Sequence, residues 1–174
     1  MNESGHSLRD IRRLVLDTNV VMALWHFRDP ALARLRSHCE SGEAVLLCRA
    51  DSLDELRRVL AYRQFGVEPA RQAEIHAGYV AASHCLPDPD EALRATLATL
   101  PRCSDRDDQK FLEIAWAGEA GVLLTRDKLL LKLARKSPFR EALRIMTPES
   151  FERSLEDAGQ RPAQENAGEA VKNA

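Results

Sequence analysis

The chain has 174 residues, 44% hydrophobic and 30% charged, the size and balance of one globular domain. Its longest uninterrupted apolar run, Val20 to Trp25, is six residues, too short for a membrane-spanning helix of ~20 or the apolar stretch of a secretory signal. With 25 Lys and Arg against 27 Asp and Glu, the formal charge is −2, so no bulk basic field exists and a polyanionic substrate would need local arginines or metal ions.

Residues 1–11 are polar and are expected to form a flexible N-terminus ahead of a domain over 12–155. Leu14-Val15-Leu16 reads as a short strand ending at Asp17. Asp29-Pro30 starts a helix, with Asp as cap and Pro at the first helical position, and puts Leu32, Leu35 and Cys39 on one face. Ala44 to Cys48 is a second apolar run, Gly121 to Thr125 a third, and Arg144 to Thr147, closed by Pro148, a fourth. Between and after them, helical patterns cover Ser52–Phe65, Pro69–Ala82, Asp90–Leu100, Asp107–Gly118 and Asp127–Lys136. From 156 to 174 large apolar residues almost vanish, which predicts a disordered tail. Short continuous apolar runs separated by helices predict parallel strands buried on both faces. The fold class is therefore α/β, a three-layer α/β/α sandwich around a central parallel sheet.

Cys39, Cys48, Cys85 and Cys103 form no CxxC pair, and the five histidines supply no zinc-type partner spacing. They read as free thiols of a cytoplasmic protein.

In parallel sheets the chemistry sits beyond the carboxyl ends of the strands, so the acids there matter most. Asp17 ends the first strand and is followed by Thr18 and Asn19. Asp127 lies two residues past Thr125, at the end of the third run. Asp105, Asp107 and Asp108 precede a helix, and Asp108 shares the face of Phe111, Leu112 and Ala115. Glu55 stands beside the stripe of Leu56, Val59 and Leu60. Carboxylates gathered in one cleft repel and raise one another's pKa; a divalent cation resolves the conflict, and hard oxygen ligands select Mg²⁺ or Mn²⁺.

The segments LVLDTNVVMALW, SLDELRRVLAYRQF, CSDRDDQKFLEIAWAGEAGVLLTRDKLLL and IMTPESF, in this order over Arg13 to Phe151, resemble the PIN-domain family. They are most similar to its stand-alone toxins of toxin–antitoxin systems, the VapC-like ribonucleases. The resemblance implies a Mg²⁺- or Mn²⁺-dependent endoribonuclease holding one or two ions. Asp17, Glu55, Asp108 and Asp127 match the four catalytic, metal-binding acids, with Asn19, Thr125, Asp105 and Asp107 in support. The residue before Asp127, often Gly in relatives, is Arg126 here. The resemblance also implies 5′-phosphate and 3′-hydroxyl products, an RNA substrate, an antitoxin protein as partner, a homodimer and no membrane association.

Each acid has a plainer role as well. Ser52-x-x-Glu55 is a capping-box pattern, Asp127 suits a helix cap, and Asp107 and Asp108 suit the positive end of a helix. Arg49, Arg106 and Arg126 flank the acidic motifs and are candidate substrate contacts. Trp25, Phe27 and Tyr62 could stack bases, but their helical spacing predicts core positions. The alternative function is a catalytically silent PIN-fold module for binding nucleic acid or protein. A phosphoaspartate enzyme built on Asp17 lacks its partners, since Asn19 stands where a second Asp is needed and Met146-Thr147-Pro148 offers no strand-end Lys.

Overall fold

The structure, a computed structural model, describes residues 9–160. Five parallel strands form one sheet in the order β3-β2-β1-β4-β5. They are β1 (Asp10–Leu16), β2 (Val45–Cys48), β3 (Ser83–Cys85), β4 (Ala120–Leu124) and β5 (Arg144–Met146). Helices connect them: α1 (Thr18–Val21), continued by a π-helical turn over Met22–His26, α2 (Ala33–Glu40), α3 (Ala50–Leu60), α4 (Pro69–Ala82) and α5 (Glu91–Leu97). The remainder are α6 (Gln109–Ala117), α7 (Lys128–Leu133), α8 (Phe139–Ala142) and α9 (Pro148–Gln160).

Alternate side chains of a strand point to opposite faces, and here both faces are dry. Leu14, Leu16, Leu46, Cys48, Val122 and Leu124 pack with residues of α1, α2, α3, α4 and α9, among them Val20, Leu35, Leu56, Tyr79 and Phe151. Val15, Leu47, Leu123 and Ile145 pack on the other side with Leu97, Phe111, Ala115, Leu130 and Phe139 of α5 to α8. Unbroken apolar runs, rather than alternating ones, follow from this double burial. The expected three-layer α/β/α sandwich is the architecture found.

Three features depart from the expectations. The edge strand β3, Ser-His-Cys, carries no apolar run and is half-buried at Ser83 and exposed at His84 and Cys85, so only its pairing with β2 makes it a strand. Strand β1 begins at Asp10, inside the stretch expected to be loose, and α9 runs five residues past 155. There Glu152 and Glu156 reach α2: the Glu152 carboxylate accepts the backbone N–H groups of Arg34 and Leu35 at 3.0 and 2.7 Å, and Glu156 pairs with Arg34. The rest of the expected N-terminal arm and tail lies outside the described residues. Among the described residues, no helix is long and apolar enough to cross a membrane.

Sheet order reverses between β1 and β4: the chain adds β2 and β3 on one side of β1, and β4 and β5 on the other. Such a switch point opens a crevice at the carboxyl ends of the two central strands. Asp17 follows β1 there, and Thr125 follows β4.

Candidate active site

Asp17 leaves β1 in extended conformation and caps α1. Its backbone N–H donates to Leu124 O at 3.0 Å, continuing the β1–β4 ladder by one bond past the strands. The side chain is 3% exposed. Oδ1 accepts the Asn19 N–H at 2.7 Å and Oδ2 the Thr125 hydroxyl at 2.6 Å. Thr125, itself fully buried, also accepts the Asp127 N–H on that hydroxyl at 2.9 Å. Asp127 in turn caps α7, its Oδ1 accepting Leu129 N–H at 2.6 Å and Leu130 N–H at 3.2 Å. Capping therefore holds for Asp127, and it leaves the second carboxylate oxygen unused among the described hydrogen bonds.

Glu55 does not cap. Helix α3 starts at Ala50, and Ser52 closes its first turn by accepting Arg49 N–H at 3.1 Å and donating to Arg49 O at 2.8 Å. The cap thus sits three residues earlier than the Ser52-x-x-Glu55 pattern suggests, which frees Glu55 one turn further on. Its half-buried carboxylate pairs instead with Lys110 of α6, whose ammonium also donates to the Asp107 carbonyl. Asp108 immediately precedes α6 and makes no side-chain cap bond. Asp105 accepts the Asp107 N–H at 2.9 Å within the exposed turn before it.

Electrostatics tie these segments together. Burial pushes the Asp108 carboxyl up to about 6, helped by the negative charges of Asp17, Asp105, Asp127 and Glu55. Burial also raises Asp17; its bonds from Thr125 and Asn19 oppose the shift, and Glu55 and Asp127 add to it. The charges of Glu55 and Asp127 thus reach both Asp17 and Asp108 from separate segments of the chain.

The donor set fits a hard divalent cation in kind: carboxylate oxygens only, partly desolvated, whose mutual repulsion a cation would relieve. It is not a closed cage. Among the described residues no three His, Cys, Asp or Glu side chains form a ready ligand group, and the Lys110 ammonium occupies Glu55. The acids would have to draw in around an ion.

Of the three flanking arginines, two are already engaged. Arg49 bridges Asp51 at 2.6 Å and Glu113 at 3.0 Å, and Arg126 bridges Glu149 at 2.7 Å and Asp29 at 3.3 Å. Arg106 is exposed. Lys110 is the site residue that sequence reasoning misses; its position two residues after Asp108, at the start of an amphipathic helix, is the available signal. Trp25 is half-buried against Tyr79, but Phe27 and Tyr62 are 57% and 52% exposed. The core positions expected for the latter two are thus corrected: Phe27 follows the π-helical turn and Tyr62 follows the end of α3, where both meet Phe65 on the surface.

Comparison with known proteins matches residues 13–129 to the PIN domain family. No curated protein matches the chain. A solved structure of the T. brucei RRP44 PIN domain is similar at 15% identity and a TM-score of 0.41, over 88% of this chain and 84% of that one.

Proposed function

The chain belongs to the PIN domain family, and from that premise we propose that it is a Mg²⁺- or Mn²⁺-dependent endoribonuclease acting as the toxin of a toxin–antitoxin pair. The observation that supports the nuclease reading is that the Thr125 hydroxyl links Asp17 to the Asp127 segment at the switch point, while Asp108 is raised first by burial and then by the charges of Asp17, Asp127 and Glu55 among others. Asp17, Glu55, Asp108 and Asp127 would hold the ion. When bound, the ion activates water and offsets the charge that builds on a phosphodiester.

The chain's own residues prepare that chemistry. The Thr125 hydroxyl and the Asn19 N–H fix both oxygens of Asp17, so the least exposed acid keeps one orientation. Asp127 is fixed by its cap on α7. Asp108 makes no such cap bond, and Lys110 neutralises Glu55. The family resemblance supports 5′-phosphate and 3′-hydroxyl products, a cytoplasmic homodimer, and an antitoxin that blocks the site.

The ion pair of Lys110 with Glu55 favours one second reading, a silent module in which that acid is permanently neutralised. Purified protein incubated with mixed single-stranded and structured RNAs, with Mn²⁺, Mg²⁺ or EDTA, separates the two. Cleavage that needs metal and disappears in Asp17→Asn supports the nuclease. Absence of both cleavage and calorimetric Mn²⁺ binding sinks it.

A further inference from the structure

Beside the acids, and sharing only Lys110 and the 105–108 turn with them, lies an open groove of about 740 Å³. Helices α3, α5 and α6 and the loop before α6 form its walls. A cleft of this size is typical of a ligand site. Its lining carries six cations, Arg49, Arg58, Arg94, Arg102, Arg106 and Lys110, against three carboxylates, Asp51, Asp107 and Glu113. The chain as a whole is −2, so positive charge is concentrated here against the average.

The cations divide by what they already touch. Arg49 is held by Asp51 and Glu113, and Lys110 by Glu55. Arg58, Arg94, Arg102 and Arg106 are exposed and make no ion pair with a carboxylate among the described residues. Four guanidiniums without carboxylate partners on one groove lining leave donors open to an external anion. Guanidinium forks match phosphate oxygens, and a row of them matches a polyanion better than a single small anion.

We infer that this groove holds a single-stranded stretch of RNA, with Arg58, Arg94, Arg102 and Arg106 as phosphate contacts, and leads that strand past Lys110 into the acids. The last step rests on the nuclease reading above. The single strand follows from depth: Asp17 is 3% exposed, and a phosphodiester in a regular duplex stays on the duplex surface, whereas an unpaired strand bends into a recess.

Fluorescence anisotropy of a labelled, mixed-sequence RNA of about 12 nucleotides tests the groove on the full chain in EDTA, where no metal-dependent cut occurs. The variant is Arg94→Gln/Arg102→Gln; both side chains are on the surface, so the fold is retained. The expected result is binding weakened about tenfold or more, with the slope of log affinity against log salt shallower by about 0.7 for each phosphate no longer neutralised. Arg140→Gln, a charge removed on α8 where Arg140 already pairs with Glu141, leaves binding unchanged. Unchanged affinity and slope in the double variant overturn the groove, as does an equal weakening in Arg140→Gln. Tighter binding of an RNA duplex through the same arginines overturns the single strand. Retained RNA binding beside abolished poly-glutamate binding would reassign the groove to an acidic protein. Failure of the nuclease reading is distinguishable, because it leaves arginine-dependent binding without metal-dependent cleavage.

Discussion

The hydroxyl of Thr125 donates to Asp17 Oδ2 at 2.6 Å while accepting the backbone N–H of Asp127 at 2.9 Å. One fully buried side chain at the end of β4 thus fixes the acid after β1 and the start of the loop that carries the acid of α7. Burial disfavours the charge of Asp17, and this bond is the strongest influence opposing that cost.

Thr125→Val, which keeps the shape and removes the hydroxyl, is expected to destabilise the fold by about 1.5–3 kcal/mol, the range for a hydrogen bond to a charged group. Without its donor Asp17 is raised further, so the penalty falls on the ionised form and is larger at about pH 8 than at about pH 5. Urea unfolding at both values measures it. Thr125→Ser is expected to restore most of the stability and the RNA cleavage with it, and an equal penalty at both pH values would show that the hydroxyl does not act through the Asp17 charge.

Asp108 gives a pH dependence of opposite use. Its carboxyl moves from 3.8 when unconstrained to about 6 in the fold. The native state therefore holds this proton more tightly than the unfolded chain. The cost of ionising it is absent below about pH 4, grows between the two values and is complete above about pH 6. Asp108→Asn is accordingly expected to be more stable than the native chain at neutral pH, by about 1–2 kcal/mol after allowance for partial exposure, with the gap closing towards about pH 4. Thermal melts across this range check the sign. Added Mn²⁺ should raise the Tm of the native chain and have less effect on Asp108→Asn.

The legibility of this molecule in its sequence follows burial. Strands β1, β2 and β4 are readable because both faces are dry, so Leu14-Val15-Leu16 and its counterparts are unbroken apolar runs. Asp17 and Asp127 are readable because each closely follows such a run. Strand β3 is not, since Ser83-His84-Cys85 owes its conformation to pairing with β2. Nor can local pattern place the cap of α3 at Arg49 and Ser52, because that depends on where β2 stops. The surface position of Phe27 and Tyr62 is hidden for a similar reason: their spacing is helical, but each lies just past its helix end. Arg49 and Arg126 look like substrate arginines in sequence, and only the fold brings Glu113, Asp29 and Glu149 to them.

Close approach of β1 and β4 at the end away from the acids depends on Gly121. A Cβ there would lie 2.6 Å from Asp10 O and 2.8 Å from Ile11 Cα, both backbone atoms that cannot swing aside. Gly121→Ala is expected to cost about 1–3 kcal/mol, the range for forced overpacking. Because the clash is at the start of β4 and the acids are beyond its far end, Mn²⁺ affinity should change less than stability. Chemical unfolding and calorimetry on the same variant separate the two, and an equal drop in both would mean that the strands shift as one unit.

Helix α2 has no cap of its own, because Leu32 precedes it and has no polar side chain. Glu152, 8% exposed on α9, supplies the cap from more than a hundred residues away by accepting the N–H groups of Arg34 and Leu35. A buried carboxylate is costly unless its oxygens are satisfied, and here both are, at the end of a helix where negative charge is favoured. Glu152→Ala is expected to destabilise by about 2–3 kcal/mol, since it leaves the buried Leu35 N–H and the part-buried Arg34 N–H without acceptors. Glu152→Gln retains one acceptor and is expected to cost about half as much. Glu156→Gln should cost less than about 1 kcal/mol, because its pair with Arg34 is at the surface. Denaturant midpoints in the order Glu156→Gln, Glu152→Gln, Glu152→Ala, from highest to lowest, are the expected outcome. A midpoint for Glu152→Ala equal to that of the native chain would mean that α9 does not hold α2 in solution.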